Sequence, residues 1–187
     1  MRCPGAFYIC FSCLIFSGCK SQPSPGKQKY FSLKIFMAGQ LKKWQSVRGR
    51  FEQVAGLPDK PDTSVINPRQ LSRYFKPFFE ADITDSWHAD RYKVSSVRDG
   101  ITGDLTLIYD AKNPLVSPST IQLNLDGHNQ VSSVFSRTFG GNLFYSHSDI
   151  LFYKTGREIR IIRFRKFLFF PMRFSEQLIL IRPIQGA

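Results

Sequence analysis

The chain has 187 residues, with 26 Lys and Arg against 14 Asp and Glu, 42% hydrophobic residues, 14% aromatic residues and four cysteines. That length fits one domain, alone or behind a targeting segment, and a domain of roughly 150 residues buries about 70% of its unfolded surface without a covalent staple. The 18 Phe and the apolar content exclude an intrinsically disordered chain; collagen-like, coiled-coil and disulfide-scaffold classes fail on composition as well.

At the amino terminus a single charge, Arg2, precedes an uncharged apolar run from Ala6 to Phe16. A run of that length is too short for a bilayer, which needs about 20 residues in a helix. It has the length of a signal-peptide core, and the small residues Ser17 and Gly18 follow it. Cys19 comes next, ahead of a polar, Pro-containing stretch that ends at Lys29. All four cysteines (Cys3, Cys10, Cys13 and Cys19) lie in the first 19 residues, so the rest of the chain has neither a disulfide nor a thiolate metal site. In Ser17-Gly18-Cys19 the segment resembles the lipobox of bacterial lipoproteins, with Phe16 standing where Leu is usual. The resemblance implies cleavage before Cys19 and acylation of its thiol, and a thiolate is the side-chain nucleophile best suited to that transfer. Two or three acyl chains hold a protein on a membrane almost irreversibly; the outer membrane is the expected address. An ordinary secretory leader and an uncleaved anchor are the alternatives. The expected plan is a leader over 1–18, a lipidated cysteine and flexible linker over 19–29, and one domain over 30–187.

From Tyr30 the pattern becomes helical. Leu33, Phe36, Met37, Leu41 and Trp44 recur at helical spacing, with Lys34, Lys42 and Lys43 on other faces. The stretch 47–54 fits helix and strand alike, and Gly56 to Asp62 reads as a loop. A second helix is marked by Asn67 at the cap, Pro68 at the first position and Gln70 three after the cap. Its apolar face is Leu71, Tyr74, Phe75, Phe78 and Phe79, with Pro77 limiting its length. These stripes suit core packing better than a ligand groove.

After Trp87 the period changes to two. Strands are predicted over 92–97, 105–109, 121–125, 130–138, 142–146, 149–154, 158–170 and 176–182, punctuated by Asp99-Gly100, Asp126-Gly127, Gly140-Gly141 and Thr155-Gly156. The expected fold is α+β: a curved antiparallel meander of six to eight strands, with two N-terminal helices against one face. The order of features, from lipobox to helices to an acidic stretch over 80–85 and then a Tyr-initiated meander, resembles uncharacterised bacterial cell-envelope lipoproteins. Residues 108–113, 121–125 and 142–146 carry most of that likeness. It implies a fold and an address, and it brings no catalytic residues.

Motifs for chemistry are sparse. His88, His128 and His147 share no ligand spacing, and the carboxylates around His88 read as a solvated turn rather than a cation loop. Ser146-His147-Ser148-Asp149 contains the residue types of a nucleophilic triad, but near neighbours on a strand do not converge. No hydrolase elbow, zinc-protease or phosphate-loop motif is present. The expectation is a protein that is not an enzyme and uses no metal or cofactor.

The unusual segment is carboxyl-terminal. Lys154, Arg157, Arg160, Arg163, Arg165, Lys166, Arg173 and Arg182 stand against Glu158 and Glu176, interleaved with Ile and Phe. Basic residues among aromatics suit single-stranded nucleic acid, a partner that export excludes. Anionic headgroups are the accessible alternative, each nearby cation being worth about 1 kcal/mol. Arg160, Arg163, Arg165, Lys166 and Arg173 are the candidates for such a contact, the plainer reading being a strand pair with one solvated basic face and one buried Phe/Ile face. Function is expected to be binding or scaffolding for an envelope protein or anionic lipid. The alternative is a carrier or sensor that holds a lipid or other apolar ligand between sheet and helices.

Overall fold

Ser32 starts the first helix: its side chain accepts from the Ile35 N–H at 3.3 Å, and helix α1 runs over Leu33–Ser46. The computed structural model describes residues 30–47, 49–57, 60–88, 90–167 and 175–184. Within α1 the buried positions Leu33, Met37, Gln40 and Trp44 repeat at helical spacing, as the apolar pattern predicts, and Phe36 and Leu41 pack beside them. The second helix begins as read. Asn67 accepts from Arg69 N–H and Gln70 accepts from Asn67 N–H, both at 3.0 Å, closing a capping box. A 3-10 turn over Pro68–Leu71 then leads into α2 (Ser72–Glu80), which stops three residues after Pro77.

The segment between the helices corrects the sequence reading. Phe51–Leu57 forms strand β1 and Lys60–Ile66 forms strand β2, paired antiparallel from Phe51↔Ile66 to Leu57↔Lys60. The helices therefore precede and interrupt the strands instead of standing together ahead of them. Strand β2 had no legible period because all but its last residue are exposed, and Pro61 is tolerated because β2 lies on an edge of the sheet. Gly56 has φ +137°, and a Cβ there would sit 2.6 Å from the Lys60 carbonyl oxygen, so the apparent loop glycine serves a close strand crossing.

The remaining strands are β3 (Tyr92–Arg98), β4 (Leu105–Ala111), β5 (Thr120–Leu125), β6 (Val131–Asn142), β7 (Tyr145–Lys154), β8 (Glu158–Phe167) and β9 (Ser175–Pro183). They make a nine-stranded sheet in the order β2-β1-β9-β8-β7-β6-β5-β4-β3 with antiparallel neighbours, more strands than the six to eight expected. The meander from β3 to β9 is as predicted, and β9 then pairs with β1, which fastens the N-terminal hairpin to the C-terminal strand. Gly140-Gly141 is no hairpin turn. Both lie inside β6, the reversal falls at Leu143 and Phe144, and the two strands read over 142–154 are one. A Cβ on Gly140 would meet the His147 ring at 2.7 Å, and Gly141 at φ +144° passes the Tyr145 carbonyl. Close approach, not reversal, is what these glycines provide.

Alternation assigns each strand two faces. One faces the helices and carries Tyr109, Ile121, Leu123, Leu151, Tyr153 and Ile161, all buried. Tyr153 is its centre: the rings of Phe36, Trp44, Phe75 and Phe78 lie 6.0–6.3 Å from it, and its hydroxyl donates to Gln40 Oε1 at 3.0 Å. The opposite face carries half-buried Val54, Phe135, Phe152, Ile162 and Leu180.

Candidate functional site

Strand β8 holds four of the five cations singled out in the sequence, and its pleat separates them. Arg163 and Arg165 share the helix-side face with Ile159 and Ile161, while Arg160 and Lys166 share the opposite face with Ile162 and Phe164. The single basic face expected for this strand is therefore not formed, because basic residues at both odd and even positions must diverge. Cys19 and Arg173, the other two sequence candidates, lie outside the described residues, as do the leader, the linker and part of the Phe-rich run after Phe167.

On the helix side, register places Asp149 of β7 opposite Arg163 and His147 opposite Arg165. Arg165 donates to Asp149 Oδ1 at 2.5 Å, and Arg163 Nε lies 3.7 Å from Asp149 Oδ2. One carboxylate thus neutralises half of a two-arginine cluster, in a place where its own side chain is only 14% exposed. His147 stacks on Tyr145 at 5.6 Å, and Tyr145 touches Phe167 at 5.1 Å. Ser146 and Ser148 project to the other face from His147 and Asp149, so this tetrapeptide does not assemble a Ser–His–Asp relay. On that face Arg160 donates to Glu158 at 3.0 Å and lies 5.9 Å from the Phe152 ring.

The acidic stretch after α2 is spent on local geometry. Asp82 accepts from Lys34 N–H at 2.7 Å, Ser32 Oγ at 3.2 Å, Thr84 N–H at 2.9 Å and the Thr84 hydroxyl, tying the end of α2 to the start of α1. Burial pushes this carboxyl up, but the hydrogen bonds outweigh it and hold its pKa below the ordinary carboxylate value. Asp85 binds the buried His88 at 2.6 Å, and Arg91 covers the Trp87 ring at 3.7 Å. Burial also pushes up the hydroxyls of Tyr92 and Tyr109, and takes Tyr153 to about 12. Among the described residues no group of three or more His, Cys, Asp or Glu could hold a metal, and no helix is long and apolar enough to cross a membrane.

A cleft of about 670 Å³ opens where the β7–β8 turn meets the end of β9, lined by Glu52, Gly156, Arg157, Glu158, Arg182 and Ile184. An apolar recess of about 230 Å³ adjoins it, between Trp44, Val47 and Phe51. Gly156 and Pro183 line both. Arg182 is paired with Glu52 at 3.1 Å. Sequence reading missed this cleft because its walls come from three separate segments. The partner role of Asp149 was legible in principle, since β7 and β8 join through a tight turn that fixes the register.

No known protein family, curated protein or solved structure matches the chain.

Proposed function

We propose that this chain is a lipid-anchored cell-envelope protein, acylated at Cys19 and held on the outer membrane. In this reading it acts without catalysis, as a binding or scaffolding module for an envelope protein or an anionic lipid. The observation that carries the anchor is the confinement of all four cysteines to the first 19 residues, with Ser17-Gly18-Cys19 closing an apolar leader. The packing supports surface function over cargo. Met37, Phe75, Phe78 and Tyr153 fill the helix–sheet interface with no exposed surface. The apolar recess beside it, at about 230 Å³, falls by itself below the roughly 300–1,000 Å³ of ordinary ligand pockets, and the larger cleft it adjoins is lined chiefly by the charged Glu52, Arg157, Glu158 and Arg182.

The second reading, a carrier or sensor of an apolar ligand, draws on that same recess and the cleft it adjoins. An amphiphile would place its tail against Trp44 and Phe51 and its head near Arg157.

The decisive experiment expresses the full chain and its Cys19→Ala variant in a bacterium, followed by intact mass and membrane fractionation. A mature chain beginning at Cys19 with added acyl mass, absent from the variant, is the expected result. Two unmodified, soluble proteins would overturn the anchor. Co-purification of a lipid with the folded chain, lost in Trp44→Ala, would favour the carrier over the module.

A further inference from the structure

Strand register sorts the connections of this protein between the two ends of the sheet. Tyr30, the first described residue, packs against Tyr92 and Tyr109 at 6.0 and 5.9 Å, which places the start of the fold at the end where β3 begins and β4 finishes. The loop 112–119 is fixed there as well: Lys112 N–H donates to the Arg91 carbonyl, and the Tyr92 hydroxyl to that of Pro118. So is the β6–β7 hairpin, because Phe139 N–H donates to Ser117 Oγ at 3.1 Å. Phe167, at the finish of β8, touches Tyr145 beside that hairpin.

The apolar side chains that this end leaves in solvent are bulky. Leu115 is 83% exposed at its loop, Leu143 77% at the hairpin tip, Trp87 65% before β3, and Phe167 42%. The opposite end also has exposed apolar residues, chiefly Val47, Val65, Val97 and Ile101, but no aromatic one among the described residues. Single exposed hydrophobics need no explanation. What needs one is that Trp, Phe and Leu gather on separate connections at one end, the end from which the chain leads back to Cys19. The eleven steps from Cys19 to Tyr30 reach at most about 40 Å. The ten-residue strand β7 puts the far end of the sheet about 30 Å beyond. A flexible chain of eleven steps averages only roughly 17–20 Å end to end, shorter than that span, so a lipid on Cys19 favours the Tyr30 end as the one next to the bilayer.

Resting on the lipid-anchor reading, we propose that this end of the sheet is a membrane-contact surface, with Trp87, Leu115, Leu143 and Phe167 entering the headgroup–acyl boundary. Trp and Phe favour that boundary because an apolar ring gains there while polar neighbours stay hydrated. The tether converts a weak affinity into a populated contact, since it holds the local concentration of lipid high. The contact fixes the orientation of the domain: the cleft at the β7–β8 turn points away from the membrane, towards whatever the module binds.

The chain has two tryptophans, Trp44 buried and Trp87 exposed, so one spectrum carries its own reference. The full acylated chain is reconstituted into vesicles containing brominated phosphatidylcholine and phosphatidylglycerol, and tryptophan quenching is read. Bromine should quench Trp87 and spare Trp44, so Trp87→Phe abolishes the effect. Leu115→Asp with Leu143→Asp should lower the quenching of Trp87 about threefold or more without changing the melting temperature. Quenching in an acylated chain no greater than in Trp87→Phe overturns the contact and leaves the anchor standing. Undiminished quenching in the double Asp variant overturns the assignment of the two loop tips. A chain without acyl mass on Cys19 overturns the anchor and this proposal together.

Discussion

Deleting one oxygen atom, in Tyr153→Phe, tests the account of the core. The hydroxyl of Tyr153 has no exposed surface and donates at 3.0 Å to Gln40 Oε1, itself in a residue that is buried. The variant leaves every ring contact in place and orphans Gln40 Oε1 together with the Gly156 N–H and the Trp44 indole N–H that also bond this hydroxyl, so the loss is that of buried polar groups without their partner, about 1–3 kcal/mol. At about 2–4 °C per kcal/mol for a protein of this size, the melting temperature should fall by roughly 2–12 °C. Gln40→Leu in the same background removes the orphaned acceptor, and replacing both partners of one buried bond by apolar groups is close to neutral. The double variant should therefore recover part of the loss, and a double-mutant cycle in urea should give a coupling of about 1–2 kcal/mol. The alkaline limb offers a second readout. Because burial holds the folded Tyr153 hydroxyl at about 12, the folded state keeps its proton where the unfolded chain, near 10, has lost it. That stabilisation is complete below the unfolded value and disappears as pH rises towards about 12; Tyr153→Phe should flatten this part of the curve. A single variant as stable as wild type, or a double variant worse than both singles, would refute the hydrogen bond as a structural element.

Two further outcomes follow from the charged groups. Asp82→Ala removes the acceptor of the Lys34 N–H in the first turn of α1 and the tie to α2, at about 1–2 kcal/mol. Since the folded carboxyl titrates below its unfolded value, the stabilisation is present above about pH 4 and is lost as pH falls through the folded value. The gap between variant and wild type in urea midpoints should be larger at pH 7 than at pH 3, and should go on shrinking as pH falls through the folded value. Asp149→Ala leaves Arg163 and Arg165 facing each other in a partly buried place and should cost about 1–3 kcal/mol. By contrast, Glu158→Ala, which breaks the single and more exposed pair with Arg160, should cost under about 1 kcal/mol; equal effects in thermal melts would show that burial does not rank these pairs.

Legibility followed how locally each feature is determined. Both helices were readable because a cap or an apolar stripe lies within a turn or two of the residues it governs: Asn67 accepts as the N-cap read for α2, and Leu33, Met37 and Trp44 bury together in α1, whose Ser32 cap was not read. The meander from β3 onwards was readable for a similar reason, with alternation and turn residues such as Asp126-Gly127 falling in short windows. The β1–β2 hairpin was not, since an edge strand exposed on both faces has no hydrophobic period to read. Gly140 and Gly141 misled because glycine marks both reversals and close approaches. Only the partner strand distinguishes them, here through His147 and Tyr145.

The amino-acid sequence by itself determined the α+β class, the start of the second helix, the strand alternation, and the crowding of every cysteine into the first 19 residues. Each depends on neighbours within a few residues. The tertiary structure alone decided that β9 returns to pair with β1, that Arg163 and Arg165 meet Asp149 while Arg160 meets Glu158, and that Tyr30, Trp87, Leu115 and Leu143 share one end. Those relations join residues tens of positions apart, and they exist only once register fixes which strand lies beside which. A shift of one residue would exchange the two faces of β8, so the charge pattern written in the sequence acquires its meaning from pairing.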